Sequence, residues 1–344
     1  MNKRKILFIG GSLNQTTMMH EISKHLGNYD CWFSPYYDDG FVGYLAAKGL
    51  LNFTILGGTF KKQTEEYIID NKLQIDYKGI KNDYDLVYTS ADLLIPKNIK
   101  KKKIILVQEG MTDPEKLPFY LVKYFNFPRW AASTSAMGMS NLYDVFCVAS
   151  EGYKELFIKK GAKKEKIVVT GIPNFDNAKK YLNNNFPYKN YVLVATSDMR
   201  ETFKYENRKK FIKECVKIAN GKQLIFKLHP NENFERAIKE INEYAPGALV
   251  FHNGNTNHMI ANCDVLITKY SSVVYIGLAL GKKVYSSFNI DELKRLMPLQ
   301  NNGTSAERIA RIGRRLLDSP ETTVEEIREE IENLDQVGLN AQQT

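Results

Sequence analysis

The chain has 344 residues, 43% of them hydrophobic and 25% charged, which leaves room for two globular domains and excludes a disordered, collagenous or coiled-coil protein. Its 48 Lys and Arg against 39 Asp and Glu give a net charge of +9, which favours anionic partners without choosing among nucleotides, phospholipid head groups and nucleic acid. The longest apolar candidates, such as 265–280, are interrupted by Lys, Tyr and Ser, which excludes a membrane-spanning helix.

The opening Met1-Asn2-Lys3-Arg4-Lys5-Ile6-Leu7-Phe8-Ile9-Gly10 has too short an apolar run for a signal peptide and reads as the first strand of a cytoplasmic protein. Apolar runs of strand length at 6–9, 86–89, 104–107, 145–149 and 167–170 alternate with helical periods at 18–26 and 153–160, the pattern of a parallel sheet with covered faces. Turn formers collect at 171–177 and again at 183–187, which places an interdomain linker there. Alternation then restarts, with strands at 191–195, 223–228, 248–251, 265–268 and 283–285 and helices at 209–218, 234–244 and 273–280. The expected fold class is therefore α/β, two doubly wound Rossmann-like domains facing a cleft, over 1–175 and 188–304. Residues 305–344 are a C-terminal extension, with a basic amphipathic helix at 305–317 that packs back on the body, an acidic one at 323–334 and a frayed end at 338–344. Cys31, Cys147, Cys215 and Cys263 are too scattered for a disulfide framework or a zinc knuckle and read as reduced buried thiols.

Chemistry concentrates at strand ends. Phe226-Lys227-Leu228-His229-Pro230 puts an imidazole at a strand's carboxyl end, and Thr268-Lys269-Tyr270-Ser271-Ser272 puts two hydroxyls and free N–H groups before a short helix. Together they suit a diphosphate, His229 donating to one oxygen and Ser271, Ser272 and backbone amides to others; each alone is equally a structural hydrogen-bonder or a helix cap. Lys227–Pro230, Asn262-Cys263-Asp264-Val265-Leu266-Ile267-Thr268-Lys269-Tyr270-Ser271-Ser272 and Leu280-Gly281-Lys282-Lys283-Val284 resemble the carboxyl-terminal half of GT-B fold glycosyltransferases. The pattern is nearest that of the teichoic-acid CDP-glycerol glycerophosphotransferases, with similarity to CMP-sugar transferases, and covers about residues 220–285. Where the glycerophosphotransferase pattern has Asp before Tyr-Ser-Ser, this chain has Lys269, which adds positive charge beside the expected phosphates.

In the first half, Ile105-Leu106-Val107-Gln108-Glu109-Gly110 runs a strand into a carboxylate and is similar to the acidic-Gly motif of bacterial sialyltransferase-like enzymes, with Gln108 where that motif is often acidic. The resemblance implies Glu109 as the base that deprotonates an acceptor hydroxyl, a role that burial assists by raising a carboxyl pKa; an exposed loop position is the plain alternative. Gly10-Gly11-Ser12-Leu13-Asn14-Gln15-Thr16-Thr17 opens a helix after the first strand. It lacks the spacing of both the dinucleotide fingerprint and the P-loop, so Gly11 and Ser12 are expected to touch acceptor or donor. Arg200, in Thr196-Ser197-Asp198-Met199-Arg200, is placed to clamp a phosphate or lie as an ordinary surface arginine, and Asn253-Gly254-Asn255-Thr256-Asn257-His258 to meet the base or cap a helix. His20 and His25 are not on one helix face, and Asp83-Tyr84-Asp85 is the polar lead-in to a strand, so no metal is expected. The aromatic segment 117–130 and the lysine run 97–103 are candidates for contact with a membrane surface or a glycan, or else core and a solvated turn.

The expectation is a metal-independent glycosyltransferase without cofactor, peripheral at the inner face of the membrane. The 1–175 domain takes the acceptor; the 188–304 domain holds a nucleotide donor through His229, Pro230, Thr268, Ser271, Ser272 and Arg200. It moves a sugar or polyol phosphate, cytidine-linked by preference, to a glycan or lipid-linked hydroxyl of the cell envelope. A UDP-sugar 2-epimerase shares a His-Pro-Asn stretch but carries Ser-Gly-Gly where this chain has Tyr270-Ser271-Ser272. A non-catalytic glycan-binding protein is the other alternative, and nucleic-acid binding is set aside for want of a recognition motif.

Overall fold

In the computed structural model, which describes residues 3–340 other than 53, 198 and 202–204 and no side chains beyond 334, the apolar runs of the first half lie in one parallel sheet. Met1, Asn2, Asp198 and the end of the polar tail thus lie outside the described residues. The chain divides into two compact units, Met1–Asp176 with Asn301–Thr344, and Asn177–Gln300.

The first unit holds β1 (Lys5–Gly10), α1 (Leu13–Lys24), β2 (Asp30–Pro35), α2 (Phe41–Ala47), α3 (Gly58–Asp70), β3 (Leu86–Thr89), β4 (Lys103–Val107), α4 (Leu117–Phe125), β5 (Val145–Val148), α5 (Glu151–Lys160) and β6 (Ile167–Val169). Its strand order is β2-β1-β3-β4-β5-β6, so the chain reverses direction across the sheet between β1 and β3. The strands are buried on both faces, which is why they read as unbroken apolar runs rather than alternating ones. Local chemistry sets the helix starts: Ser12 and Ser150 accept the Gln15 and Tyr153 N–H groups at the N-termini of α1 and α5. At the other end of α5, Gly161 (φ 121°) takes a backbone conformation that side chains disfavour.

The second unit holds β7 (Val192–Ala195), α6 (Arg208–Ala219), β8 (Leu224–Lys227), α7 (Phe234–Tyr244), β9 (Leu249–Phe251), α8 (Thr256–Asn262), β10 (Val265–Thr268), α9 (Val274–Ala279), β11 (Lys283–Tyr285) and α10 (Ile290–Leu296). Its strands, again all parallel, run β11-β10-β7-β8-β9, with the reversal between β7 and β10. Asn207, Asn233, Asn255 and Asn289 cap α6, α7, α8 and α10, accepting N–H groups within the first turn. The chain then returns to the first unit as α11 (Ser305–Asp318) and α12 (Val324–Asn340). Ile309, Ile312, Leu316, Ile327 and Ile331 pack there with strand residues such as Ile6, Tyr88 and Ile105. Gly313 lets α11 approach closely enough that a Cβ would stand 1.9 Å from the Tyr88 hydroxyl.

The architecture is thus α/β with two parallel, doubly wound sheets, the expected fold class. Several elements have no counterpart among the sequence expectations: β2, α2, α3, α4 and α10. The four cysteines are free thiols, three of them buried. Among the described residues, no helix is long and apolar enough to cross a membrane.

Candidate functional site

In the first unit, three strand ends meet at the point where the sheet reverses. β1 ends in Gly10-Gly11-Ser12, β3 continues into Ser90, and β4 runs through Gln108 to Glu109. Gln108 is buried and structural: its Nε2 donates to the Gly110 carbonyl (2.8 Å) and its Oε1 accepts the Ala149 N–H (2.9 Å), tying the end of β4 to that of β5. Glu109 reaches the start of α1. Its Oε2 accepts from Gln15 Nε2 at 2.6 Å and its Oε1 from Ser12 Oγ at 3.3 Å, while Asn174 Nδ2 donates to its backbone carbonyl at 3.3 Å. Gln15 is held in turn, its Oε1 accepting the Gly11 N–H at 2.8 Å. Burial raises the Glu109 carboxyl pKa above its ordinary value, and the Gln15 and Ser12 hydrogen bonds offset only part of that rise. A carboxylate desolvated in this way is more basic than one in water, as proton removal from an alcohol requires. A Cβ at Gly11 would stand 2.8 Å from both Gln15 Oε1 and Ile55 Cδ1, so a side chain here would displace the Gln15 side chain that holds Glu109. The structure thus brings Gly11, Ser12 and Glu109 together and adds Gln15 and Asn174, which sequence reading missed. Ser90, between β1 and β4 at this edge, is 4% exposed, and its hydroxyl finds no partner among the described residues.

In the second unit, the neighbouring strands β10, β7 and β8 end in Thr268-Lys269, Thr196-Ser197 and Leu228-His229. The sequence His229-Pro230-Asn231-Glu232 forms a turn in which the Glu232 N–H donates to the His229 carbonyl at 3.0 Å, with proline at the position that its fixed φ favours. This turn brings the Glu232 carboxylate beneath its own start, where Oε2 accepts the His229 N–H at 3.0 Å. His229 Nδ1 accepts the Asn231 N–H at 3.2 Å, so a neutral imidazole carries its proton on Nε2, the polarity needed to donate to a phosphate oxygen. Ser271 and Ser272 precede α9, whose N-cap residue, Val273, makes no side-chain capping bond. Thr268 Oγ1 and Ser197 Oγ are buried at adjacent strand ends with no hydrogen-bond partner among the described residues. Orphaned buried hydroxyls at the reversal of an open sheet are where a ligand's polar groups are expected.

Other expected positions are already occupied. Arg200 makes a two-pronged contact with Glu240, NH1 to Oε1 at 2.8 Å and NH2 to Oε2 at 2.9 Å, so its guanidinium is committed to a carboxylate. Lys269 Nζ lies 3.1 Å from Glu206 Oε1 and 4.6 Å from the centre of the Phe211 ring. Asn255 of the 253–258 segment caps α8 through its Oδ1. His20 Nδ1 shares a hydrogen bond with the Tyr67 hydroxyl (2.9 Å), Asp85 Oδ2 accepts the Lys5 N–H (2.8 Å), and Asp83 pairs with Lys102. Residues 117–130 contribute both core and surface, since Phe119 is 1% exposed whereas Leu117, Tyr124 and Phe125 are 71%, 67% and 70% exposed.

No protein-family model matches this chain, and no curated protein sequence matches it. Solved structures do. A UDP-N-acetylglucosamine 2-epimerase superposes with a TM-score of 0.53 at 13% identity, over 94% of this chain and 98% of that one. The Methanocaldococcus jannaschii UDP-GlcNAc 2-epimerase, in complex with UDP-GlcNAc and UDP, does so at 0.53 and 15% identity, over 90% and 99%. The wall teichoic acid polymerase TagF, solved with CDPG, gives 0.51 at 13% identity, over 93% and 90%. At such identities the likeness establishes the fold, and the fold is of the GT-B kind shared by nucleotide-sugar epimerases and a teichoic acid polymerase.

Proposed function

We propose that this protein is a glycosyltransferase that moves a sugar, or a polyol phosphate, from a nucleotide-activated donor to a hydroxyl of a cell-envelope glycan. The observation that carries this reading is Glu109. It is a strand-end carboxyl whose pKa is raised by burial, held by the neutral donors Gln15 and Ser12 at 2.6 and 3.3 Å. In the scheme, Glu109 takes the proton of the acceptor hydroxyl as that oxygen bonds to the electrophilic centre of the donor. The bond from that centre to the leaving oxygen breaks, and the electron pair stays on the departing phosphate. His229 Nε2–H, the Ser271 and Ser272 hydroxyls and Thr268 Oγ1 receive that charge. Pro230 holds the turn that presents His229, and Gly11 and Ser12 hold α1 against Glu109. Arg200 belongs to this region through Glu240 rather than as a free phosphate clamp. The scheme assigns no metal and no cofactor. A cytidine-linked donor is the first choice because the Tyr270-Ser271-Ser272 sequence follows the glycerophosphotransferase pattern. The exposed apolar face of α4, with Lys123 Nζ 5.8 Å from the Tyr124 ring centre, is assigned to a lipid-linked acceptor at the inner membrane surface.

Calorimetric titration with CMP, CDP, UDP and GDP, repeated on His229→Ala, tests the donor half. Cytidine nucleotide binding that the variant loses supports the proposal. UDP preference with turnover of a UDP-sugar in the absence of acceptor points instead to an epimerase. Glycan binding without nucleotide binding leaves a non-catalytic glycan-binding protein.

A further inference from the structure

Within the second unit, a line of buried charges joins the two loops assigned to the donor. Lys269, the first residue after β10, places Nζ 3.1 Å from Oε1 of Glu206, whose side chain is 1% exposed. Glu206 Oε2 lies 2.9 Å from Arg208 Nε and 3.8 Å from Arg200 Nε. Arg208, its side chain 4% exposed, pairs through NH2 with Glu232, and Glu232 accepts from Thr196 and from the His229 N–H. The line runs across the ends of three adjacent strands, β10, β7 and β8. Both ends of Lys269 are tied, because its carbonyl accepts Ser286 Oγ at 2.9 Å. The Glu206 contacts are at ion-pair distance but off the hydrogen-bond directions, since neither carboxylate oxygen has a partner of good geometry among the described residues. A buried ion-pair line of this kind is weak evidence for stability, and the best-attested use of such a line is to fix the register of the elements it joins.

We infer that Glu206 is a positioning residue of the donor site: through Lys269 on one side and Arg208–Glu232 on the other, it fixes the Ser271-Ser272 loop relative to the His229 turn. This rests on the reading that these two loops hold the donor's phosphates, with the Ser271-Ser272 loop taking the distal one. Lys269, two residues before Ser271, is the point at which the line grips that loop.

The test is calorimetric binding of CDP and UDP, each compared with CMP and UMP, to Glu206→Gln, Lys269→Met, the Glu206→Gln/Lys269→Met double variant and Ser271→Ala/Ser272→Ala. Expected is a loss of about tenfold or more for the diphosphate in each of the two single variants, with monophosphate affinity changed less than about threefold, and a double variant no weaker than the worse single one. Equal losses for mono- and diphosphate would mean that Glu206 only supports the fold, and would overturn the inference. If Glu206→Gln does not fold, the double variant, which removes both charges of the pair, carries the same comparison. If Ser271→Ala/Ser272→Ala loses the diphosphate but the Glu206 and Lys269 variants do not, the inference fails and the donor reading stands. If Ser271→Ala/Ser272→Ala binds normally, it is the donor reading that fails.

Discussion

Replacing Glu109 by Gln isolates the proton-accepting step, because the substitution changes charge and basicity while keeping shape. In the Glu109→Gln variant the new amide oxygen, standing where Oε2 is now 2.6 Å from Gln15 Nε2, would still accept from that donor. The new amide N–H would turn toward Ser12 Oγ, now 3.3 Å from Oε1. The site therefore keeps its hydrogen bonds and loses only its base. A positioned general base contributes roughly 10²–10⁴-fold, so transfer should fall by that factor, about 3–5 kcal/mol of activation free energy, with donor affinity unchanged. Stability should move the other way. Burial raises the carboxyl pKa, so the folded state prefers the protonated form. The resulting penalty is fully present above the folded pKa and disappears as pH falls below the unfolded value. Glu109→Gln should then melt at or above the wild-type temperature near neutral pH, with the gain vanishing below about pH 4, where the group is protonated in both states. Release of nucleotide from the donor in the presence of acceptor, with thermal melts at several pH values, reads both effects. A variant that keeps more than about a tenth of the wild-type transfer rate would refute the base assignment.

Gln15→Leu removes the stronger donor that lowers the Glu109 pKa, so the pH at which transfer reaches half its maximum should move upward from the wild-type position, read from a pH–rate profile. Gly313→Ala places a Cβ 1.9 Å from the Tyr88 hydroxyl and 3.1 Å from Leu86 Cδ2, and should destabilise the first unit by about 1–3 kcal/mol in chemical denaturation. Adding Tyr88→Phe should recover part of that loss, because it removes the clashing oxygen together with its bond to the Ile309 carbonyl. Lys160, 2% exposed against the Phe119 and Phe157 rings, has its pKa lowered by burial to about 8. Its penalty is full below that pH and fades as pH rises toward the unfolded value. Lys160→Met should therefore stabilise the protein at pH 7 by about 1–3 kcal/mol, with the difference closing toward pH 10 in urea melts.

The doubly wound sheets were legible because strands buried on both faces are continuous apolar runs, and Ile6-Leu7-Phe8-Ile9 and Val265-Leu266-Ile267 are runs of strand length set between turn formers and helical periods. β2 was missed because it lies at the edge of its sheet, with Asp30, Ser34 and Pro35 breaking the run. α3 was missed because only Thr64 and Ile68 of its thirteen residues are buried, too few to set a period, and α4 because its aromatics face both core and solvent. Glu109, His229 and the Ser271-Ser272 pair were singled out from their places at strand ends, which is where the structure puts them. Gln15 was not, since it meets Glu109 across 94 residues of chain and nothing local marks the contact. The caps held more signal than was drawn from them: Asn207, Asn233, Asn255 and Asn289 each precede a helix that their side chains start.

Lys269 shows how a local reading of charge is changed by packing. From sequence, a lysine where the glycerophosphotransferase pattern has an acid adds a positive group beside the phosphates. In the structure, the Lys269 charge faces Glu206, the Arg208 charge faces Glu232 and the Arg200 charge faces Glu240, while Lys227 Nζ at the end of β8 is taken up by the Leu228 and His252 carbonyls, both at 2.9 Å. A phosphate arriving beside Lys269 meets a paired ammonium, and drawing that ammonium away would leave Glu206 buried with a weaker partner set, which is unfavourable. On the proposed function, attraction for the donor would then come from oriented neutral donors, namely His229 Nε2–H, the Ser271 and Ser272 hydroxyls and the backbone N–H groups around them. Such donors are directional where a free lysine is not. They would select a phosphate by position rather than by charge alone, and would need loops whose relative placement is fixed, the role proposed for the line from Lys269 to Glu232.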